Sequence, residues 1–187
     1  MLTGLTSLTG CDRLSSARSF KSIDLTGADY GRRLDLPDIE GRPRTLEDFR
    51  GKLVVVFFGY TQCPDVCPTT LATMAEVMKL LGDDARRVQV IFVTADPERD
   101  TAEVLRGYVS AFDPRFIALR GDATQFEAVR KEFRLIVQRN KGASPNSYTI
   151  DHTAASYVID QQGRLRLYIR HETPATDIAA DLRQLLQ

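Results

Sequence analysis

Residues 53 to 58 read LVVVFF, an unbroken apolar run rich in β-branched and aromatic side chains. A strand that buries one face alternates apolar with polar residues. An uninterrupted run instead predicts a central strand with structure packed on both sides. A second run, Val88 to Thr94, predicts a neighbouring strand. Between them Leu71, Met74, Ala75, Met78 and Leu81 recur at i, i+3, i+4, i+7 and i+10, the stripe of a helix with one buried face, and Gly82 stops it. The methionines on that stripe read as core filler. Strand, helix, strand in this order opens an α/β sheet.

The flanking segments extend the pattern. From about residue 34, LDLPDIEGRPRTLEDFRGK predicts a short strand, a turn at Glu40-Gly41-Arg42 and a helical turn begun by Thr45. After the second strand comes Ala95-Asp96-Pro97-Glu98-Arg99, and Asp100 with Glu103 predicts a capped helix carrying Leu105, Tyr108, Val109 and Phe112 on one face. Phe116 to Leu119 reads as a short strand, and Asp122 to Phe133 as a helix with Phe126, Val129 and Phe133 inward. Leu135 to Gln138 is a further strand, followed by a loop over Arg139 to Ser147 that carries Gly142, Pro145 and Asn146. Ala154 to Asp160 and Arg164 to Arg170 predict a hairpin about Gln161-Gln162-Gly163. A last helix is expected from Thr173 as N-cap and Pro174 at its first position, burying Ile178, Leu182 and Leu185. This order resembles a thioredoxin-like fold, a single α/β domain over residues 34–187 whose central mixed sheet carries helices on both faces. No internal repeat interrupts it.

Charge narrows the function. Lys plus Arg and Asp plus Glu both number 25, the formal charge is zero, and no basic run of five or more residues occurs, so a nucleic-acid partner is not expected. No apolar stretch approaches the roughly 20 residues that span a bilayer. Residues 1–33 are expected to be a leader or tether. Within it Leu8-Thr9-Gly10-Cys11 resembles a bacterial lipobox, in which Cys11 would take the lipid, and Asp12 resembles an inner-membrane retention signal. In an exported protein with only Cys63 and Cys67 besides, one short-range bridge would crosslink almost nothing, so the pair reads as chemical rather than architectural.

Those cysteines sit in GYTQCPDVCPTTL, residues 59 to 71, directly after the first strand, where an open α/β sheet places its chemistry. Pro64 and Pro68 each suit the first turn of a helix, so Cys63 and Cys67 are expected at or before that turn. Free N–H groups and the positive helix end there favour thiolate over thiol. Spacing of i, i+4 permits a disulfide and a dithiol alike. Three readings stay open: a redox pair, a metal clip and two inert buried thiols. One residue more than a Cys-x-x-Cys loop opens the pair towards a shared soft ion. Of the two histidines, His152 in Tyr148-Thr149-Ile150-Asp151-His152-Thr153 precedes the hairpin, where a thioredoxin-like chain carries the loop facing its cysteines. His171, by the last helix, reads as a solvated surface residue. Two thiolates and one imidazole suit Cu(I) better than structural zinc, which takes four donors. Asp151 is a candidate fourth donor, a support for the His152 ring or a loop cap.

GRPRTLEDFRGKLVVVFFGYTQCPDVCPTTL, VTADPERDTAEVL and YTIDHTAASYVIDQQGRL together resemble the Sco/SenC family, in that order, from about Leu34 to the C-terminus. The resemblance implies a copper metallochaperone for cytochrome c oxidase assembly that takes Cu(I) and also Cu(II) through Cys63, Cys67 and His152. It implies that the two cysteines can close a disulfide. The implied partners are oxidase subunit II, whose CuA centre would receive copper or have its thiols kept reduced, and another periplasmic copper chaperone. The implied place is the bacterial periplasm, where a monomer is held at the outer face of the inner membrane through its N-terminus. The family usually has a transmembrane anchor there, which this leader does not resemble. A thiol-disulfide oxidoreductase using Cys63 and Cys67 without metal is the competing expectation. A peroxidase on the same fold fits poorly, because Gly59 and Tyr60 stand where Thr or Ser would precede its cysteine.

Overall fold

The computed structural model describes residues 19–142 and 147–187. The lipobox with Cys11, and Pro145 and Asn146 of the expected loop, lie outside the described residues. The first strand, β1 (Ile23–Asp24), pairs antiparallel with the last strand of the chain, Ile23 opposite Tyr168. Asp181 fixes its approach by accepting from the N–H groups of Lys21 at 2.9 Å and Ser22 at 2.8 Å. Residues 20–33, expected as tether, therefore pack into the fold ahead of Leu34. Backbone pairing at a sheet edge leaves no side-chain periodicity to read.

The hairpin of β2 (Leu36–Pro37) and β3 (Pro43–Arg44) turns at the expected place, with Asp38 accepting from the N–H groups of Glu40 and Arg42. The LVVVFF run becomes β4 (Leu53–Gly59), buried at every residue. It leads through the cysteine loop into α1 (Val66–Leu81), which ends at Gly82 with φ of 59°. β5 (Val88–Thr94) lies parallel to β4. Next come α2 (Ala102–Phe112), β6 (Ile117–Leu119) parallel to β5, and α3 (Ala123–Glu132), which Asp122 and Gln125 cap reciprocally. β7 (Val137–Lys141) and β8 (Tyr148–His152) form a separate antiparallel ribbon. The hairpin of β9 (Ala155–Ile159) and β10 (Leu165–Arg170) returns antiparallel beside β4, and α4 (Ala175–Leu186) closes the chain.

The main sheet has the order β1-β10-β9-β4-β5-β6. Successive side chains of β4 point to opposite faces. Val55 and Phe57 pack with Leu71, Met74 and Met78 of α1, Leu105 and Val109 of α2 and Ile178 and Leu182 of α4. Val54, Val56 and Phe58 pack on the other face with Val129 and Phe133, Leu34 and Leu36, and Leu46 and Phe49. Each such side chain contributes about 1.5–3 kcal/mol on full burial, so the two-sided run is what makes the sheet central.

Local differences from the expected elements have physical causes. Thr101, not Asp100, caps α2, its hydroxyl accepting from the N–H of Val104 at 3.3 Å. Asp100 is buried under the cysteine loop instead. Pro174 stands at the cap of α4, and Thr173 turns its hydroxyl back onto the carbonyl of Arg170. Arg139 to Lys141 and Tyr148 to His152, expected as loop, are paired strands. Their alternation is too polar to read as a half-buried sheet.

Candidate metal centre

β4 and β5 run parallel and end side by side, Gly59 opposite Thr94. The loops that leave them share one edge of the sheet, and the cysteines lie there. The turn after β4 is held by a hydrogen bond from the N–H of Cys63 to the carbonyl of Tyr60 (3.3 Å), and helix α1 opens with the N–H of Thr69 on the carbonyl of Asp65 (3.1 Å). Pro64 thus precedes the helix and Pro68 occupies its third position, where the missing N–H would have had no partner. Cys63 lies in the loop, half-buried, and Cys67 is the second helical residue, fully buried. The two are therefore not stacked on one helix face as the i, i+4 spacing suggests.

Gly59 makes room for the inner sulfur. A Cβ there would stand 2.7 Å from the Sγ of Cys67 and 3.0 Å from ring atoms of both Phe57 and Phe92. The loop is pinned from below by Asp100, which is wholly buried. Its carboxylate accepts the hydroxyl of Thr61 at 2.6 Å, the hydroxyl of Thr94 at 2.5 Å and the N–H of Thr61 at 3.2 Å.

The third side chain arrives from the separate ribbon. His152 ends β8 and packs edge-on against Phe57 and Tyr60, ring centroids 6.0 Å away in both cases. Its Nε2 is 3.4 Å from the Sγ of Cys67, and its Nδ1 is 3.2 Å from the carbonyl of Thr153. A carbonyl only accepts, so Nδ1 carries the hydrogen and Nε2 presents a lone pair to the sulfurs. The ligand atoms of Cys63, Cys67 and His152 all lie within 4.8 Å of one another. Both cysteines are free thiols.

Burial lowers the pKa of His152, opposed by the Thr153 carbonyl, and so favours the neutral, ligating ring. Burial also pushes the Cys67 thiol far up, the N–H of Tyr60 opposing and Cys63 adding to the rise. The expected promotion of the thiolate is therefore opposed at Cys67 by its burial. Such a thiol gives up its proton when a metal replaces it.

Asp151 points away, exposed, and accepts from the side-chain amide of Asn140 at 2.7 Å. The Thr153 carbonyl, not Asp151, orients the ring. His171 is half-buried rather than solvated, with Nδ1 3.3 Å from the hydroxyl of Thr70, and stands outside the cluster. Gly59 and Asp100 shape the site without announcing themselves in sequence. A glycine ending a strand and an acidic residue near a helix start have commoner explanations.

Fold and site together define a thioredoxin-like domain that gathers two thiols and the Nε2 lone pair of one imidazole at the carboxyl edge of its sheet. Comparison with known proteins agrees. The chain belongs to the SCO1/SenC family, whose sequence model matches residues 24–187. It is 37% identical over 142 residues to an SCO2-like protein of Rickettsia typhi, a match that covers 75% of this chain and 68% of that protein. A second rickettsial relative, from Rickettsia prowazekii, is 36% identical and is spanned over 66% of its length. Among solved structures, copper-bound ScoI of Bradyrhizobium japonicum is 38% identical with a TM-score of 0.77, covering 84% of this chain and 99% of that one. Apo Sco1 of Thermus thermophilus is 36% identical with a TM-score of 0.82, covering 91% and 99%.

Proposed function

We propose that this chain is a copper metallochaperone, binding one copper ion through Cys63, Cys67 and His152 and serving cytochrome c oxidase assembly. The observation that carries the reading is the convergence of three ligand atoms within 4.8 Å from a loop, a helix start and a separate ribbon. Two sulfurs and one neutral imidazole match the two or three soft donors Cu(I) accepts, whereas structural zinc takes four. The imidazole also allows Cu(II) to be held. The copper-bound relative from Bradyrhizobium supports the choice of metal.

Copper is cargo here. On uptake the two thiols lose their protons and the sulfurs bind the ion, and on release to a stronger thiolate site they become available again. Delivery would go to the CuA centre of oxidase subunit II. The same dithiol can instead reduce a disulfide in that centre: Cys63 and Cys67 close an S–S bond, and two electrons and two protons pass to the acceptor cysteines, ready for a second periplasmic chaperone to load. Either task needs the reduced pair, so redox state gates copper uptake. The chain is proposed to act as a monomer in the periplasm, held at the outer face of the inner membrane through its N-terminal leader, with Cys11 as lipid anchor.

The free thiols and their short separation also favour a second reading, a thiol-disulfide oxidoreductase that needs no metal. Anaerobic copper titration of the reduced protein, followed by metal stoichiometry and thiolate charge-transfer absorption, decides between them. The expected result is one equivalent bound by the parent and loss of that site in alanine variants of Cys63, Cys67 and His152. Full copper binding by the His152→Ala protein would overturn the three-ligand site. Unchanged reductase activity in that variant, with no copper bound by the parent, would establish the oxidoreductase.

A further inference from the structure

The β7–β8 ribbon that carries His152 forms no ladder with the six-stranded sheet. A two-stranded ribbon is marginally stable alone, so its place depends on side-chain ties. Near His152 one such tie is long: the N–H of Ile150 reaches the hydroxyl of Tyr60 at 3.4 Å. At the other end of β8 the ties are dense and converge on Arg99. Its Nη1 donates to the side-chain oxygen of Gln62 and to the backbone carbonyl of Tyr148, both at 3.1 Å. Its guanidinium lies 3.6 Å from the centroid of the Tyr148 ring. Its Nε pairs with Asp96, whose carboxylate also accepts the hydroxyl of Tyr148 at 2.8 Å. Asp96 is completely buried, which makes the pair hard to replace by water. Arg139 lies 4.0 Å from the same ring and pairs with Glu98 at 2.9 Å.

Gln62 adjoins Cys63, and Tyr148 begins the strand that ends at His152. We infer that Arg99 is a positioning residue: one guanidinium ties the loop carrying Cys63 to the ribbon carrying His152, and so sets the gap between the sulfurs and the imidazole. The inference rests on the copper reading for its consequence, though not for its geometry. Lysine cannot replace this arginine, because a single ammonium lacks the planar fork that meets Gln62, Tyr148 and Asp96 together.

The test uses Arg99→Lys with Gln62→Ala and Gln62→Glu, the last keeping an acceptor for the guanidinium. In the metal-free protein, amide hydrogen exchange over residues 148–152 is expected to rise on the order of tenfold in Arg99→Lys, the scale of one lost charge-assisted hydrogen bond, with β5 protection at the parent value. Gln62→Ala is expected to give a smaller rise and Gln62→Glu the parent rate. With Cu(II) added, the nitrogen coupling of His152 in electron paramagnetic resonance should weaken in Arg99→Lys and keep its parent value in Gln62→Glu. Parent-like exchange and nitrogen coupling in Arg99→Lys would overturn the inference. So would a uniform loss of protection that includes β5 while Gln62→Ala behaves as the parent, since Arg99 would then support the whole fold. Absence of nitrogen coupling in the parent would defeat the copper reading and leave the exchange measurement to decide the tie.

Discussion

Gly59→Ala is the sharpest perturbation of this site, because it adds one methyl group and removes nothing. The new Cβ would stand 2.7 Å from the Sγ of Cys67 and 3.0 Å from the Phe57 and Phe92 rings. Non-bonded carbon contacts settle near 3.5–4.0 Å, so the sulfur must retreat by at least about 0.8 Å. Metal–ligand distances tolerate only about ±0.2 Å, so such a retreat removes Cys67 from any shared ion. The aromatic rings are buried on both sides and cannot yield freely, which sets the expected loss of stability at about 1–3 kcal/mol. For a domain of this size that lowers Tm by roughly 2–12 °C. Copper affinity is expected to fall at least about tenfold, the lower end of what displaced ligand supports cost. Calorimetry of the metal-free protein and anaerobic copper titration measure the two effects. Gly107→Ala is the control: that glycine lies exposed inside α2 with nothing within 4 Å of the added Cβ. It should stabilise the protein by about 0.5–1 kcal/mol with copper binding unaltered. A Gly59→Ala protein with the parent's melting temperature and copper affinity would refute the steric argument.

Two further predictions concern buried carboxylates. Asp100→Asn turns an amide N–H₂ towards a hydroxyl now donating to the carboxylate. It should cost about 1–3 kcal/mol and loosen the Thr61–Cys63 loop, measured as a lower denaturation midpoint with weaker copper binding; no change in either would show that Asp100 does not hold the loop. Asp113 is held below the ordinary carboxylate range mainly by Arg115, against its own burial, and Asp160, which burial would raise, is held lower by the N–H and guanidinium of Arg164. With folded values depressed, the unfolded chain binds these protons more readily. Their stabilisation is complete above the unfolded value of about 3.9 and is lost as pH falls through the folded ones. Urea midpoints should therefore decline below about pH 4, and Asp160→Asn should be about 2 kcal/mol less stable at neutral pH with a shallower acid decline. An acid decline as steep as the parent's would remove Asp160 from that account.

Wherever a single element's own residues decide its state, the sequence was legible. LVVVFF, the Val88 run and the Leu71 stripe became β4, β5 and α1, since apolar periodicity reports burial directly. The capping pair of Asp122 and Gln125 opens α3 as a local pattern should. Asp100 broke the rule for capping residues because Thr61 of a distant loop and Thr94 at the end of β5 offered its carboxylate three donors. Tyr148 to His152 escaped notice as a strand because its partner, not its own pattern, makes it one.

By itself the sequence determined the two-sided sheet and named Cys63 and Cys67 as chemistry-bearing residues, because apolar runs and a motif with a proline after each cysteine are local properties of the chain, while His152 was named as one of only two histidines and by the family resemblance. Only the tertiary structure decided that Cys63 stands off the helix, that burial governs Cys67, and that Gly59, Asp100 and Arg99 hold the cluster together. Those facts depend on which segments meet in space, and the chain between Cys67 and His152, which stand 85 positions apart, carries no periodicity that records the encounter.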